Sequence, residues 1–391
     1  MIKKIKNFFQ LEAATGILLA LTTIAALFIA NSNFYQSYHN FLEFSLPIDF
    51  NLISFYKNLT VLDWINDALM AIFFFLIGLE LKKEVLVGEI SSRKKIILPV
   101  IAAFGGVIIP ALIFCYFNFH NHSNLRGFAI PTATDIAFAY GAISLFGKKF
   151  SHSLKVFLVA LAVIDDLIAI LIIAIFYSQE IDAIYILFSF ITLFGLLLLN
   201  LRKSNKIYLY LILGICLWLM ILKSGIHATL AGVLLSLFIP LKISNKNLLE
   251  NLAHKIAPAV NFLILPIFAF ANAGVRINNF SLDVLLQPLI LGVVIALFFG
   301  KQIGVMLFSF LAIKLKIATL PRGTSWSEFY VAAIFTGIGF TMSLFIGALA
   351  FFNSNCAFGQ VKVGVLIGSL LSIIYGFMVA CFVIRKSYNK K

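Results

Sequence analysis

Long apolar runs alternate with short polar segments along the whole chain. Twelve of the runs approach the roughly 20 residues an α-helix needs to cross bilayer hydrocarbon. They fall near 11–31, 62–81, 96–117, 127–146, 154–177, 183–200, 206–221, 224–241, 257–274, 287–312, 329–352 and 361–384. The pattern predicts an all-α polytopic membrane protein, because only structures that satisfy every backbone polar group internally persist in lipid. The seventh and eighth runs are short, with Lys223-Ser224-Gly225 between them. The first run follows a basic Met1-Ile2-Lys3-Lys4 start like that of a cleaved leader, yet its length and the runs behind it predict a retained first helix. Residues 32–61 are the longest outer loop. Pro47 and the alternating apolar positions from Leu46 to Tyr56 predict a small hairpin at 45–58.

Composition agrees. Of 391 residues, 62% are hydrophobic and 12% charged, against about 25% charged in soluble domains. The net charge of +14 would suggest a nucleic-acid surface if the basic residues formed one patch. They do not: with the N-terminus cytoplasmic, 24 of the 30 Lys and Arg fall on the inner side and five on the outer. The bias sets the orientation, with both termini cytoplasmic, and accounts for the charge without nucleic acid. Cys115, Cys216, Cys356 and Cys381 lie far apart with no CxxC. They read as small apolar side chains, and no cofactor is expected.

The remaining basic residue, Lys301, lies near the middle of the tenth run. Asp135 is equally deep in the fourth, and Asp165 and Asp166 in the fifth. Charge facing lipid costs about 3 kcal/mol on insertion scales, so such residues mark an interior site. One Asp–Lys pair could simply join helices. Adjacent acids are harder to explain that way. They sit about 100° apart on a helix and can share a cavity, but one lysine cannot easily neutralise both. Two close carboxylates do not readily ionise together, which suits exchange of a proton for a metal ion.

Two spans contain helix breakers. The fourth reads Ala129-Ile130-Pro131-Thr132-Ala133-Thr134-Asp135, where the proline removes a hydrogen bond and crowds the preceding turn. The eleventh reads Thr336-Gly337-Ile338-Gly339-Phe340-Thr341-Met342-Ser343, where glycines and hydroxyls favour unwinding. Each is the middle span of a triplet, spans 3–5 and spans 10–12. The triplets begin seven spans apart, so they enter the membrane from opposite sides as an inverted repeat. Two broken helices crossing at the midplane would oppose their half-helix ends. Asp135 is placed to offset positive N-terminal ends and Lys301 negative C-terminal ends.

With these features and the strings Trp64-Ile65-Asn66-Asp67, Gly78-Leu79-Glu80-Leu81-Lys82-Lys83-Glu84, Ile164-Asp165-Asp166-Leu167, Ser224-Gly225-Ile226-His227 and Phe268-Ala269-Phe270-Ala271-Asn272-Ala273-Gly274, the chain resembles the NhaA family of sodium/proton antiporters from about residue 10 to 385. The resemblance implies that Asp165 and Asp166 bind Na+ or Li+ in competition with H+, with Thr134 and Asp135 nearby and Lys301 facing them. It implies electrogenic, alkaline-activated exchange by alternating access, with more protons than sodium ions per cycle. Whether Asp165 or Lys301 carries the second proton stays open, because coupled sites titrate together. Expected pH-sensing or entry residues are Glu80, Lys83, Glu84, His227, Asp67 and His254. One departure is visible: where the family often has Glu before the histidine preceding the ninth span, this chain has Ala253, with Glu250 one turn earlier.

The expected division is a translocating core at 96–177 and 287–384, and a scaffold at 11–81 and 183–274. The resemblance implies a homodimer through the 45–58 loop, in the bacterial inner membrane. An enzyme is not expected: an intramembrane aspartyl protease needs a Gly-Asp pair, and none occurs. A sodium-coupled solute symporter would need a large polar-lined substrate pocket.

Overall fold

The computed structural model describes residues 13–45, 59–88, 93–178, 181–243, 247–276, 282–352 and 354–388. The described residues are predominantly helical, and an isolated antiparallel bridge joins Ser45 to Thr60. Positions 46–58 of the expected hairpin lie outside the described residues.

All twelve apolar runs appear as helices or interrupted helices. The first is α1 (Ala14–Ala30), which turns by 111° into the polar helix α2 (Tyr35–Glu43). There His39 and Glu43 pair at 3.1 Å, so the 32–61 segment begins as a short polar helix. Next come α3 (Val61–Leu86) and α4 (Arg93–Asn118). Thr60 starts α3 with a reciprocal cap: its hydroxyl accepts from the Asp63 amide at 3.1 Å, and its own amide donates to the Asp63 carboxylate at 2.9 Å.

The fourth run is a 3₁₀ segment, Arg126–Thr132, three irregular residues, and then α5 (Ile136–Ser144). Four helices follow: α6 (His152–Phe176), α7 (Ala183–Leu201), α8 (Ile207–Lys223) and α9 (Leu230–Phe238). The last is shorter than the 224–241 run predicts. Gly225 adopts φ +81° and the Ser224 hydroxyl donates to Ile221 O at 2.8 Å, so the chain reverses before α9 begins.

The ninth run, α10 (Leu248–Ala273), starts earlier than expected, because a polar first stretch with Glu250, Asn251, His254 and Lys255 extends the helix ahead of its apolar part. The tenth is α11 (Pro288–Lys314). The eleventh is α12 (Trp326–Phe335) and α13 (Phe340–Ala350), bent by 41° at the break. The twelfth is α14 (Asn355–Tyr388). Among the described residues, seven helices are individually long and apolar enough to cross a membrane, and α12 with α13 adds a broken span. The other runs are shorter or interrupted, which helices inside a bundle tolerate.

The chain divides into two compact units. One gathers the described residues of Met1–Leu21, Glu89–Ile172 and Val275–Lys391. The other gathers those of Thr22–Gly88 and Ile173–Gly274. In the first unit the order long helix, interrupted helix, long helix occurs twice, as α4 to α6 and as α11 to α14. This is the inverted repeat with its two broken helices. Helices α4 and α11 touch through Gly105 and Gly304, where a methyl group on either residue would overlap the other's backbone. Such small-residue contacts are how helices pack closely without help from water. The four cysteines form no disulfide; Cys115 and Cys216 are partly buried, Cys356 and Cys381 exposed.

Candidate functional site

The two interruptions meet inside the first unit and complete each other's backbone. The Asp135 amide donates to Ile338 O at 2.7 Å, and the Ser343 hydroxyl donates to Ile130 O at 2.7 Å. The Thr134 hydroxyl lies 2.9 Å from Thr336 O. Each break supplies partners for the other, which lets non-helical backbone persist where water is scarce.

Asp135 is the N-cap of α5 and accepts from the Phe138 amide at 3.0 Å. Its other oxygen accepts from the Thr341 amide at 3.0 Å and from the Thr341 hydroxyl, at the start of α13. One carboxylate thus serves the positive ends of both trailing half-helices, as its sequence position suggests. Lys301 does the converse: its ammonium donates to Thr132 O, at the end of the leading 3₁₀ segment. A five-residue π-helical turn, Ala296–Gly300, immediately precedes Lys301. Gly106 of α4 faces this part of α11: a methyl there would press on Val305 at 3.2 Å and lie in ordinary contact with Lys301 Nζ at 3.6 Å.

Lys301 Nζ also donates to Asp165 Oδ2 at 2.6 Å, with both side chains wholly buried. The same oxygen lies 2.8 Å from the Thr134 hydroxyl. Thr134 has one proton and two acceptors, Asp165 Oδ2 and Thr336 O, so it cannot donate to both at once. Asp166 is also fully buried, and neither of its oxygens has a hydrogen-bond partner among the described residues; Asp165 Oδ1 lacks one too. Asp166 lies within electrostatic reach of Asp165, Asp135 and Lys301. The four charged residues singled out at span centres, Asp135, Asp165, Asp166 and Lys301, therefore gather in one place together with Thr134. Sequence reasoning missed Thr341, Ser343 and the Thr132 carbonyl. The hydroxyls of the second break were the available signal, since each had a matching break to serve. Among the described residues no group of three or more His, Cys, Asp or Glu side chains forms a metal cluster. A cation at Asp165 and Asp166 would draw its remaining ligands from hydroxyls and carbonyls.

The other candidates lie in the second unit, in two groups. Lys83 Nζ meets Glu250 Oε1 at 2.7 Å, and His254 Nε2 lies 3.8 Å from the same oxygen. Asn247 Nδ2 donates to the other Glu250 oxygen at 3.2 Å. Glu80 is within electrostatic reach of Lys83 and Glu84. Glu250 is thus the centre of this group. Lys82 instead caps the end of α9, donating to Leu237 O at 2.5 Å and to Ile239 O at 2.7 Å. The second group pairs Asp67 with His227 at 3.9 Å. Asp67 sits in a π-helical turn, Trp64–Leu69, whose carbonyl at Asp67 accepts from Trp218 Nε1 at 3.3 Å.

Multiple apolar spans, an inverted repeat and buried acids at crossed broken helices define a multi-pass membrane protein of the secondary-transporter type. Residues 6–380 match the family model described as "Na+/H+ antiporter 1". A Na(+)/H(+) antiporter NhaA of Pelagibacter ubique is 49% identical over 98% of this chain and 98% of its own length. Those of Psychrobacter arcticus (46%, covering 99% and 97%) and Nitrobacter hamburgensis (48%, covering 96% and 90%) are similarly related. The chain belongs to the bacterial Na+/H+ antiporter family.

Proposed function

We propose that the protein exchanges cytoplasmic Na+, or Li+, for external H+ across the inner membrane, electrogenically and by alternating access. The observation that carries this reading is Asp166. A buried carboxylate without a hydrogen-bond partner is strongly disfavoured as a bare anion, so it holds either a proton or a cation. Asp165 and Asp166 are the competing ligands, and hard oxygens suit a small alkali ion. When Asp165 is ionised, Lys301 and Thr134 donate to it. When it is protonated, its hydroxyl can donate to Thr134, which then turns its proton to Thr336 O. Cation loading thus reaches the backbone of the second break. Asp135 holds the two half-helix ends together while this happens.

In this reading the first unit carries the ion and the second is its scaffold, with both termini cytoplasmic. The Lys83, Glu250 and His254 group, with Glu80 and Glu84, tunes activity to alkaline pH, and Asp67 with His227 serves ion passage or pH response. The working form is a homodimer joined through the 45–58 segment.

Everted membrane vesicles with an imposed proton gradient test the proposal. Added Na+ or Li+ should dissipate the gradient and K+ should not, and Asp166→Asn should abolish the response. Exchange that persists in the variant refutes the site. Uptake of an organic solute driven by Na+ would favour a symporter instead.

A further inference from the structure

Next to Lys301 in α11, about 100° around the helix, lies a polar cluster that the exchange chemistry does not use. Gln302 is buried, and its Oε1 accepts from the Tyr330 hydroxyl of α12 at 2.9 Å. The Tyr330 proton is committed to Gln302, so the Tyr375 hydroxyl of α14, 3.4 Å away, is the donor in the second contact. Tyr375 also stands edge-on to Phe298, with ring centroids 5.6 Å apart. Phe298 lies within the π-helical turn Ala296–Gly300. The cluster therefore holds α11 within that turn, at Phe298 from α14, and just after it, at Gln302 from α12. The Gln302 amide nitrogen is buried without an acceptor among the described residues. The arrangement keeps a buried polar group at a cost, which a purely apolar contact would avoid.

A π-helical turn carries one residue more than the α-helical turn it replaces. If it relaxed to α-helix, everything after it would rotate by roughly 100° about the helix axis. Lys301 is the first residue after the turn, and Gln302 the second. Fixing Gln302 to Tyr330 fixes the rotation of Lys301 and hence its aim at Asp165 and Thr132 O. We propose that Gln302, Tyr330 and Tyr375 are positioning residues for ion exchange: they hold α11 in the register that points Lys301 at Asp165. The inference rests on the proposed exchange at Asp165 and Asp166.

Loosening the grip weakens the Lys301–Asp165 contact. Asp165 is then less favoured as an anion, the proton competes better, and Na+ needs a more alkaline medium to displace it. Tyr330→Phe and Gln302→Leu should each shift the pH of half-maximal exchange by about half a unit to the alkaline side, equivalent to about a threefold rise in apparent KM for Na+ at fixed pH. The maximal rate at saturating Na+ and high pH should stay within about twofold of wild type. The double variant should be no worse than the more severe single, because both remove one hydrogen bond. Tyr375→Phe should shift the profile in the same direction by less. Ser309→Ala, two turns further along α11, should leave the profile unchanged.

All variants are compared per folded protein, measured by monodisperse elution in detergent. Variants that lower only the yield, with pH profile and KM on the wild-type curves, overturn the inference. So does a shift in Ser309→Ala as large as in Tyr330→Phe. Tyr330→Phe keeps the ring and its packing, so the test survives if Gln302→Leu fails to fold. Absence of Na+-dependent exchange in the wild type would defeat the exchange reading itself, a different outcome from normal wild-type exchange with unshifted variants.

Discussion

Two lysine–carboxylate pairs in this protein have nearly the same geometry and opposite circumstances. Lys301 and Asp165 meet at 2.6 Å with both side chains at 0% exposure. Lys83 and Glu250 meet at 2.7 Å with both at 35%. Distance alone would rank them equal. Burial separates them, because water and salt screen the second pair while the first has only its neighbours. A half-exposed pair contributes about 0–1 kcal/mol. Breaking a buried pair by removing one partner costs about 3–5 kcal/mol, chiefly because the other charge is stranded. The first pair can therefore couple protonation to structure, and the second can adjust a process without supporting the fold.

The largest effect should come from stranding a charge. Asp165→Asn leaves Lys301 buried without its counter-ion and should lower unfolding stability in detergent by about 3–5 kcal/mol. Replacing both residues, as Asp165→Asn with Lys301→Met, should recover much of that loss while exchange stays absent. If the double variant is as unstable as the single, the two residues do not act as a unit.

A smaller effect belongs to Asp135, which caps two helices at once. Asp135→Ala removes both caps and should cost about 1–2 kcal/mol per helix start, read from unfolding midpoints. Asp135→Asn keeps an oxygen acceptor and should lose less. Equal losses would mean that charge, not capping, is what Asp135 supplies.

Smallest is the exposed pair. Glu250→Gln should change stability by less than about 1 kcal/mol, and any effect should shrink as salt is raised from 0.01 M to about 1 M, as the Debye length falls. The expected consequence is a moved pH dependence of exchange with the maximal rate retained. A collapse of folding in Glu250→Gln would erase the contrast between the two pairs.

Burial of this kind is only partly legible from spacing. Asp135, Asp165, Asp166 and Lys301 announce themselves because charge is rare at the centre of apolar runs, and all four converge. Pro131 and the Gly337/Gly339 pair likewise mark the breaks. Glu250 lies in an ordinary polar stretch before a span, with nothing local to set it apart. Its role depends on Lys83, 167 positions away. Asp67 and His227 were recognised separately, and only their 3.9 Å approach joins them. Tyr330 and Tyr375 read as common aromatic residues of membrane helices. The cut-off of α9 at Leu230 depends on a left-handed turn at Gly225, which hydropathy does not register.

The alternation of apolar runs and basic loops thus determines, without coordinates, that the chain is all-helical, crosses a membrane many times and repeats a three-span motif in opposite orientations. Lipid enforces this, because an unsatisfied backbone group or an exposed charge is too costly there to be placed freely. Tertiary structure alone decides which helix end each buried charge serves, which lysine–carboxylate pair is dry, and how α11 is rotated at Lys301. Those outcomes depend on contacts between residues far apart in the chain. Hydrogen bonds and close charge contacts act over a few ångströms, whereas sequence spacing constrains only neighbours on the same helix.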